Sequence, residues 1–191
     1  MDGTPIPINS SSLLRWYPLR IYHSSLKRQN LLKEALDQEA SVAETYIPHS
    51  LIDAQTEEYA PTLVNYIFVR ISLHDLKRLK SSAKFDQLRY VMKVWHDEKN
   101  NKVSQIAHIS DREMDNFQQV VNKANEQVQY IHNVAFAMRP GQKVRIADGM
   151  FKGTEGTIKS IKKHLCVIVT LGDVMAVAIT GIHRKFLRPL D

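Results

Sequence analysis

Histidine and cysteine are the side chains that most often bind metals, and their spacing in this chain does not suit a metal site. The eight histidines stand at positions 23, 49, 74, 96, 108, 132, 164 and 183, and no His-x-x-x-His or Cys-x-x-Cys pair occurs. Structural and catalytic metal sites usually show such spacings. The sequence therefore predicts neither a metal nor a cofactor.

Nucleophilic chemistry is also not indicated. His23 precedes Ser24 and Ser25, but neighbours in sequence seldom point at each other, and serines before an apolar helical pattern are typical caps. The run Gly153-Thr154-Glu155-Gly156 lacks the Gly-Lys-Ser/Thr of a phosphate-binding loop. We predict that the chain is not an enzyme.

Charge points instead to binding. The net charge is +6, and it is concentrated: residues 70–102 carry nine basic and four acidic groups (+5), and residues 139–191 carry ten and four (+6). Clustered positive charge attracts polyanions, so nucleic acid is the leading partner class. On composition alone, solvated lysine-rich faces explain these zones equally well.

Composition also bears on compartment and organisation. The single cysteine, Cys166, cannot form an intrachain disulfide, and residues 1–12 lack the basic and apolar regions of a signal peptide. Both features predict a cytoplasmic protein without a membrane segment. Six of the seven glycines follow residue 140, which predicts a second, turn-rich domain there.

The elements that must position any site follow from hydrophobic periodicity. We predict a disordered leader at 1–12, strands at 13–22, 44–47, 63–71 and 88–95, helices at 26–40 and 73–80, and an exposed hairpin-like loop at 49–60. Ser110 and Glu113 have the spacing of a capping box that starts a third helix. The order β-α-β-β-α-β-α predicts an α+β sandwich of ferredoxin-like type.

The segment 139–156 has the most specific pattern. Val144 and Ile146 alternate with charged residues as in a half-buried strand, and glycines follow at turn positions. The segment resembles the KOW motif, which implies a small SH3-like β-barrel. The residues that match are Gly141, Val144, Ile146, Asp148, Gly149, Phe151, Gly153 and Gly156.

The first half resembles the NusG N-terminal domain. The matching runs are Trp16-Tyr17, Tyr46-Ile47-Pro48, Tyr66-Ile67-Phe68-Val69 and Ile109-Ser110-Asp111-Arg112-Glu113. The resemblance implies a NusG-like domain at 13–128, a linker at 129–138 and the KOW domain at 139–191. Asn65 stands at a position where the general factor commonly has glycine, and an asparagine there is similar to RfaH. The leader and the basic segment are similar to those of UpxY-type antiterminators. These features favour a specialised paralogue.

The resemblance also implies binding residues. In NusG relatives an apolar depression around a third-strand tyrosine receives a polymerase coiled coil; here those positions are Tyr66, Leu63 and Val64, with Trp16, Tyr17 and Phe68 on adjacent strands. Residues such as Trp16 and Phe68 are more often plain core residues than contacts. RfaH-like relatives read non-template DNA with residues that here are Lys77, Arg78, Lys80, Arg20, Tyr22 and His23.

The sequence thus predicts a monomeric elongation or antitermination factor that binds RNA polymerase and the non-template DNA strand or nascent RNA. The resemblance implies that the KOW domain recruits a ribosomal protein or another transcription factor. The alternative is a KOW-type ribosome or RNA-binding module without polymerase. Valine, isoleucine and threonine dominate residues 165–171 and disfavour helix, so we predict that the KOW domain is permanently β.

Overall fold

The computed structural model describes residues 13–22, 25–53, 58–61, 65–123, 127–131, 141–161 and 164–190. It is a mixed α/β fold. The helices are α1 (Leu26–Asp37), α2 (Leu73–Lys80) and α3 (Asp111–Val121). The strands are β1 (Leu14–Ile21), β2 (Glu44–Tyr46), β3 (His49–Asp53), β4 (Glu58–Pro61), β5 (Tyr66–Ser72), β6 (Leu88–Tyr90), β7 (Met92–His96), β8 (Lys102–Ile106), β9 (Val128–Tyr130), β10 (Lys143–Ile146), β11 (Glu155–Ile161), β12 (His164–Leu171), β13 (Met175–Thr180) and β14 (Leu187–Pro189).

A four-stranded antiparallel sheet, which we call the N-terminal sheet, has the order β2-β5-β1-β6. Its two faces follow from the alternation along β1. Tyr17, Leu19 and Ile21 pack in one apolar cluster with residues of α1 and α2. Trp16 packs on the other face in a cluster that contains Phe117 of α3. The helices therefore cover both faces of the sheet.

Serine caps begin all three of these helices. The Ser25, Ser72 and Ser110 side chains each accept a backbone N–H from the first helical turn. Ser110 and Glu113 form a complete capping box, since the Glu113 carboxylate also accepts the Ser110 amide at 3.0 Å. The capping box and the helix at 73–80 are confirmed. The helix α1 ends at Asp37, before the predicted end.

Two hairpins interrupt the order that the sequence predicts. The loop predicted at 49–60 contains the paired strands β3 and β4. The strand predicted at 88–95 is divided at Val91 into β6, which joins the N-terminal sheet, and β7, which pairs with β8. The prediction missed β8, because the segment between the strands contains no glycine; its turn is made by Asn100 at φ 61°.

A six-stranded sheet, the C-terminal sheet, has the order β14-β10-β11-β12-β13-β9. The alternation predicted for β10 is confirmed, with Val144 and Ile146 buried and Lys143 and Arg145 exposed. Residues 164–171 and 175–180 form strands, as their β-branched content predicts. The strand β9 comes from the segment directly after α3, so the chain enters this sheet before the KOW-like residues begin.

The helix α3 joins the two sheets. One apolar cluster contains Phe68 of the N-terminal sheet, Phe117 of α3 and Val167 of the C-terminal sheet. Hydrogen bonds cross the same junction, including Gln119 Nε2 to the Lys152 carbonyl at 2.9 Å. The C-terminal sheet is therefore packed against the first half of the chain through α3.

Candidate binding surfaces

Tyr66 lies at the open end of the face of the N-terminal sheet that α3 covers elsewhere. The residue is half-buried, and its ring stacks beside Phe68 with 6.5 Å between centroids. Its carbonyl accepts the Gln29 amide at 2.7 Å, which fixes the backbone where β5 begins. Asn65 lies in a turn, so the strand predicted from residue 63 begins at Tyr66.

The other predicted polymerase contacts are less accessible. Trp16, Tyr17 and Phe68 are 3%, 4% and 0% exposed. Tyr17 packs in the cluster on the opposite face from Phe68, and burial raises the pKa of its hydroxyl. Leu63 and Val64 lie outside the described residues. Of the four predicted contacts that the structure describes, Tyr66 therefore offers the most accessible surface.

A cationic row runs beside Tyr66. Arg20 lies directly opposite Tyr66 on one side and directly opposite Arg89 on the other. Residues in such register point to the same face of a sheet, so Arg20 and Arg89 lie side by side on that face. Like charges directly opposite each other destabilise a sheet.

Arg89 also connects Tyr22 and Lys80 to this row. Its guanidinium carbon lies 5.8 Å from the centroid of the Tyr22 ring, which is 60% exposed. The pKa of Lys80 is lowered, chiefly by burial and secondly by the positive charge of Arg89. The Lys80 ammonium donates a hydrogen bond to the Phe85 carbonyl at 2.6 Å. We define Arg20, Tyr22, Lys80 and Arg89 as the arginine–tyrosine end of the sheet.

Three of these four residues, Arg20, Tyr22 and Lys80, were predicted from the sequence, and Arg89 was not. Nothing in the local pattern of β6 separates Arg89 from a solvated arginine; its role depends on the pairing of β6 with β1. The remaining predicted DNA contacts are dispersed. Lys77 is exposed, and Arg78 is ion-paired with Asp75 at 3.0 Å. His23 lies outside the described residues.

The KOW-like residues occupy turn and core positions of the C-terminal sheet. Gly149 and Gly153 have φ of 84° and 91°, conformations that favour glycine. A Cβ on Gly156 would lie 2.5 Å from the Ile168 carbonyl oxygen, so β11 and β12 approach closely there. Phe151 is buried, whereas Asp148 is exposed and accepts the Gly149 amide at 2.8 Å.

Glu155 ties this turn to α3. Its carboxylate accepts hydrogen bonds from Arg145 at 2.6 Å and from Arg112 of α3 at 2.6 and 2.7 Å. These bonds hold the pKa of Glu155 below its usual range, and the bond from Arg145 has the largest effect. One carboxylate therefore links the C-terminal sheet to α3 while it neutralises part of the positive charge around it.

A cavity of about 240 Å³ lies where β8, α3 and the β12–β13 turn meet. Across it, the Lys93 ammonium is 3.3 Å from the Asp173 carboxylate. His108 Nε2 lies 2.8 Å from an Arg15 nitrogen. The pKa of His108 is lowered, chiefly by burial and secondly by the positive charge of Arg15. Among the residues that the structure describes, no group of three or more potential metal ligands occurs.

None of the described helices is long and apolar enough to cross a bilayer. No protein-family model matches this chain, and no match is found among curated protein sequences. Among solved structures, the chain is similar to one described as domain interaction in Thermotoga maritima NusG, with 19% identity. The match covers 94% of this chain and 98% of that one, with a TM-score of 0.44.

Proposed function

We propose that this protein is a NusG-like transcription elongation or antitermination factor that binds RNA polymerase through its first half. The observation that carries the proposal is Tyr66, half-exposed beside the buried Phe68 and flanked by the Arg20–Arg89 row. An aromatic ring with apolar support beneath it and cations beside it suits the tip of a partner helix next to nucleic acid.

The strand order supports the ferredoxin-like part of the proposal. In the order β2-β5-β1-β6, β1 comes first in the sequence and lies between β5, the third strand, and β6, the fourth. All three neighbouring pairs are antiparallel. Helices α1 and α2 fall between strands in the order that a split βαβ arrangement requires. The glycine conformations at 149 and 153 and the close approach at Gly156 support an SH3-like KOW domain.

The proposed contacts form two groups, one for polymerase and one for DNA. Tyr66 would be covered by the polymerase, and Leu63 and Val64 are proposed to share in the contact. Phe68 and Trp16 support the sheet face from below, and Tyr17 anchors the sheet to its helices. Arg20, Tyr22, Lys80 and Arg89 would contact the non-template strand, the cations at phosphates and the exposed tyrosine at a base. Lys77, Arg78 and His23 are proposed as further contacts to the same strand.

The mechanism needs no catalysis. A factor that binds the elongating state of polymerase more tightly than the paused state shifts the equilibrium between them by that difference in affinity. An arginine–tyrosine end that recognises exposed non-template bases would add preference for particular DNA sequences. This feature and Asn65 favour a specialised, operon-specific factor of RfaH or UpxY type that acts in the cytoplasm.

The test is co-purification of the tagged full chain with its partners. We expect RNA polymerase in the eluate of the wild type, and less of it when Tyr66 is replaced by alanine. Recovery of ribosomes without polymerase would reject the proposal in favour of a KOW-type ribosome-binding or RNA-binding module. An in vitro elongation assay with purified polymerase should then show shorter pauses when the protein is present.

A further inference from the structure

The cavity of about 240 Å³ lies between the two halves of the chain. One wall comes from β7, β8 and α3, and the other comes from the end of β12 and the turn that follows it. The polar residues that line the cavity are Lys93, Gln105, His108, Glu113, Thr170 and Asp173. Small-molecule sites occur preferentially at junctions of this kind.

The walls of the cavity are held in place by pairing and packing. Lys93 of β7 lies directly opposite Gln105 of β8, so the two side chains share one face of the hairpin. On the apolar side of the cavity, a Cβ added to Gly172 would lie 3.3 Å from a side-chain carbon of the buried Ile109. At about 30 Å³ for each water, the volume equals about eight waters, which suits a ligand with a similar number of non-hydrogen atoms.

The lining carries charges of both signs. Lys93 is a cation, and Asp173 and Glu113 are carboxylates. The Oε2 atom of Glu113 accepts both capping bonds from Ser110, and Oε1 is not needed for them. His108 is neutral at pH 7, because burial and then the charge of Arg15 lower its pKa. The histidine therefore adds polarity to the wall but no charge.

These charges select the class of ligand. The Lys93 ammonium and the Asp173 carboxylate lie 3.3 Å apart, with side chains 52% and 43% exposed. An ion pair this exposed is weak, so it opens at little cost. A simple anion at Lys93 would face two repelling carboxylates, and a simple cation would leave Lys93 unpaired. A molecule with one ammonium and one carboxylate satisfies both signs together.

We propose that this cavity binds a small zwitterion, a free α-amino acid, with its carboxylate at Lys93 and its ammonium at Asp173 and Glu113. Gln105 and Thr170 supply further hydrogen-bonding groups. Because the ligand contacts both halves of the chain, its binding stabilises their packing against each other. The site shares no residue with the proposed polymerase and DNA contacts and does not depend on them.

The experiment is thermal unfolding of the full chain with each of the common L-α-amino acids at low millimolar concentration, followed by calorimetric titration of those that stabilise it. A ligand at about ten times its Kd should raise the Tm by about 3–6 °C, since it binds the folded state. Acetate and methylamine together carry the same charges on separate molecules and should produce no such rise. No rise with any amino acid, or an equal rise with acetate and methylamine, would overturn the proposal.

A charge-neutral double variant locates the site. Lys93→Ala/Asp173→Ala should weaken binding of the stabilising amino acid by about tenfold or more, because charge-assisted hydrogen bonds are lost. The matched control is Lys84→Ala/Glu39→Ala, which removes another partly exposed ion pair, 2.7 Å long and outside the cavity lining. Its affinity should equal that of the wild type, while unfolding without ligand checks that both variants are folded. Wild-type affinity in Lys93→Ala/Asp173→Ala, or an equal loss in the control, would reject this cavity as the site.

Discussion

Asn116 and Glu155 exchange two hydrogen bonds across the junction between α3 and the C-terminal sheet. The Asn116 side-chain amide donates to the Glu155 carbonyl at 2.7 Å, and the Glu155 backbone amide donates to the Asn116 side-chain oxygen at 2.8 Å. A side-chain amide thus pairs with a strand backbone as a neighbouring strand would. The pair fixes the position of the first residue of β11 relative to α3.

Asn116→Ala should destabilise this junction, because both partly buried backbone groups of Glu155 lose their partner. We expect a cost of about 1–3 kcal/mol. Hydrogen exchange of the Glu155 amide should accelerate, and denaturant unfolding should show lower stability. Asp115→Ala, at an exposed position one residue earlier, is the matched control; equal effects of the two changes would show that the exchanged bonds contribute nothing specific.

Acid should weaken the same junction through the Glu155 carboxylate. Its pKa is lowered below the ordinary 4.5, chiefly by hydrogen bonds from Arg145 and Arg112. A group whose folded-state pKa is depressed contributes stability that is present above its unfolded pKa and is lost as pH falls through the folded pKa. The stability advantage of the wild type over Glu155→Gln should therefore be full at pH values above the ordinary pKa of 4.5 and should shrink as the pH falls below it.

Denaturant unfolding at several pH values measures that difference. Glu98→Gln, an exposed carboxylate in the β7–β8 turn, controls for the loss of charge alone. A stability difference between wild type and Glu155→Gln that stays constant across this pH range would show that the Arg112 and Arg145 contacts do not stabilise the ionised form.

Glycine at position 156 should be required for packing rather than for backbone conformation. An added Cβ would meet the Ile168 carbonyl oxygen at 2.5 Å and a Val167 methyl at 2.6 Å, whereas at Gly149 it would meet nothing within 4 Å. Gly156→Ala should cost about 3 kcal/mol by overpacking. Gly149→Ala should cost about 1 kcal/mol, because only the positive φ is strained.

Thermal and denaturant unfolding of the full chain should rank these two variants in that order. Gly149→Asn provides a further contrast, since asparagine tolerates positive φ better than alanine does. If Gly156→Ala were no more destabilising than Gly149→Ala, the close approach of β11 and β12 would not limit the residue at position 156.

What the sequence predicted well depends on local chemistry. The Ser110–Glu113 capping box joins groups three residues apart, so its residue types alone specify it. The alternation of Val144 and Ile146 likewise defines a buried and an exposed face without knowledge of the neighbouring strand. For the same reason the turn glycines at 149 and 153 could be identified from type and spacing.

What the sequence did not predict depends on register. Arg89 acquires a role only because β6 pairs with β1, which places it opposite Arg20. The Asn116–Glu155 contact joins residues 39 apart, and no local pattern distinguishes Asn116 from other polar residues of α3. The burial of Trp16 and Phe68, by contrast, agrees with the expectation that large apolar side chains of this kind are more often core residues than contacts.

Tyr66 should be an anchor for polymerase. Tyr66→Ala removes the half-exposed ring that stacks beside Phe68, and the cost should be about 2 kcal/mol or more in polymerase affinity if the ring is an interface hot spot. The measurement is binding of the full chain to purified polymerase. Met92→Ala, which removes another exposed apolar side chain, should leave the affinity unchanged.

A fold control accompanies this comparison, because part of the Tyr66 ring is buried and its removal also reduces stability. Thermal unfolding and the circular dichroism spectrum should show that Tyr66→Ala remains folded at the assay temperature. A folded variant with wild-type affinity for polymerase would place the contact elsewhere on the chain.

The arginine–tyrosine end should bind single-stranded DNA by two separable contributions. Arg89→Ala removes a proposed phosphate contact, so the slope of log affinity against log salt should flatten by about 0.7, with similar weakening for all sequences. Arg78 already pairs with Asp75, and Lys80 donates to the Phe85 carbonyl. The triple change of Lys77, Arg78 and Lys80 to alanine should therefore flatten the slope by less than about 2.

Tyr22→Ala should change the preference among sequences, because an exposed ring can stack on bases. The measurement is a salt series with several oligonucleotides and Lys99→Ala as the matched control; a slope for Arg89→Ala equal to that of the wild type would reduce this cationic row to a solvated edge of the sheet.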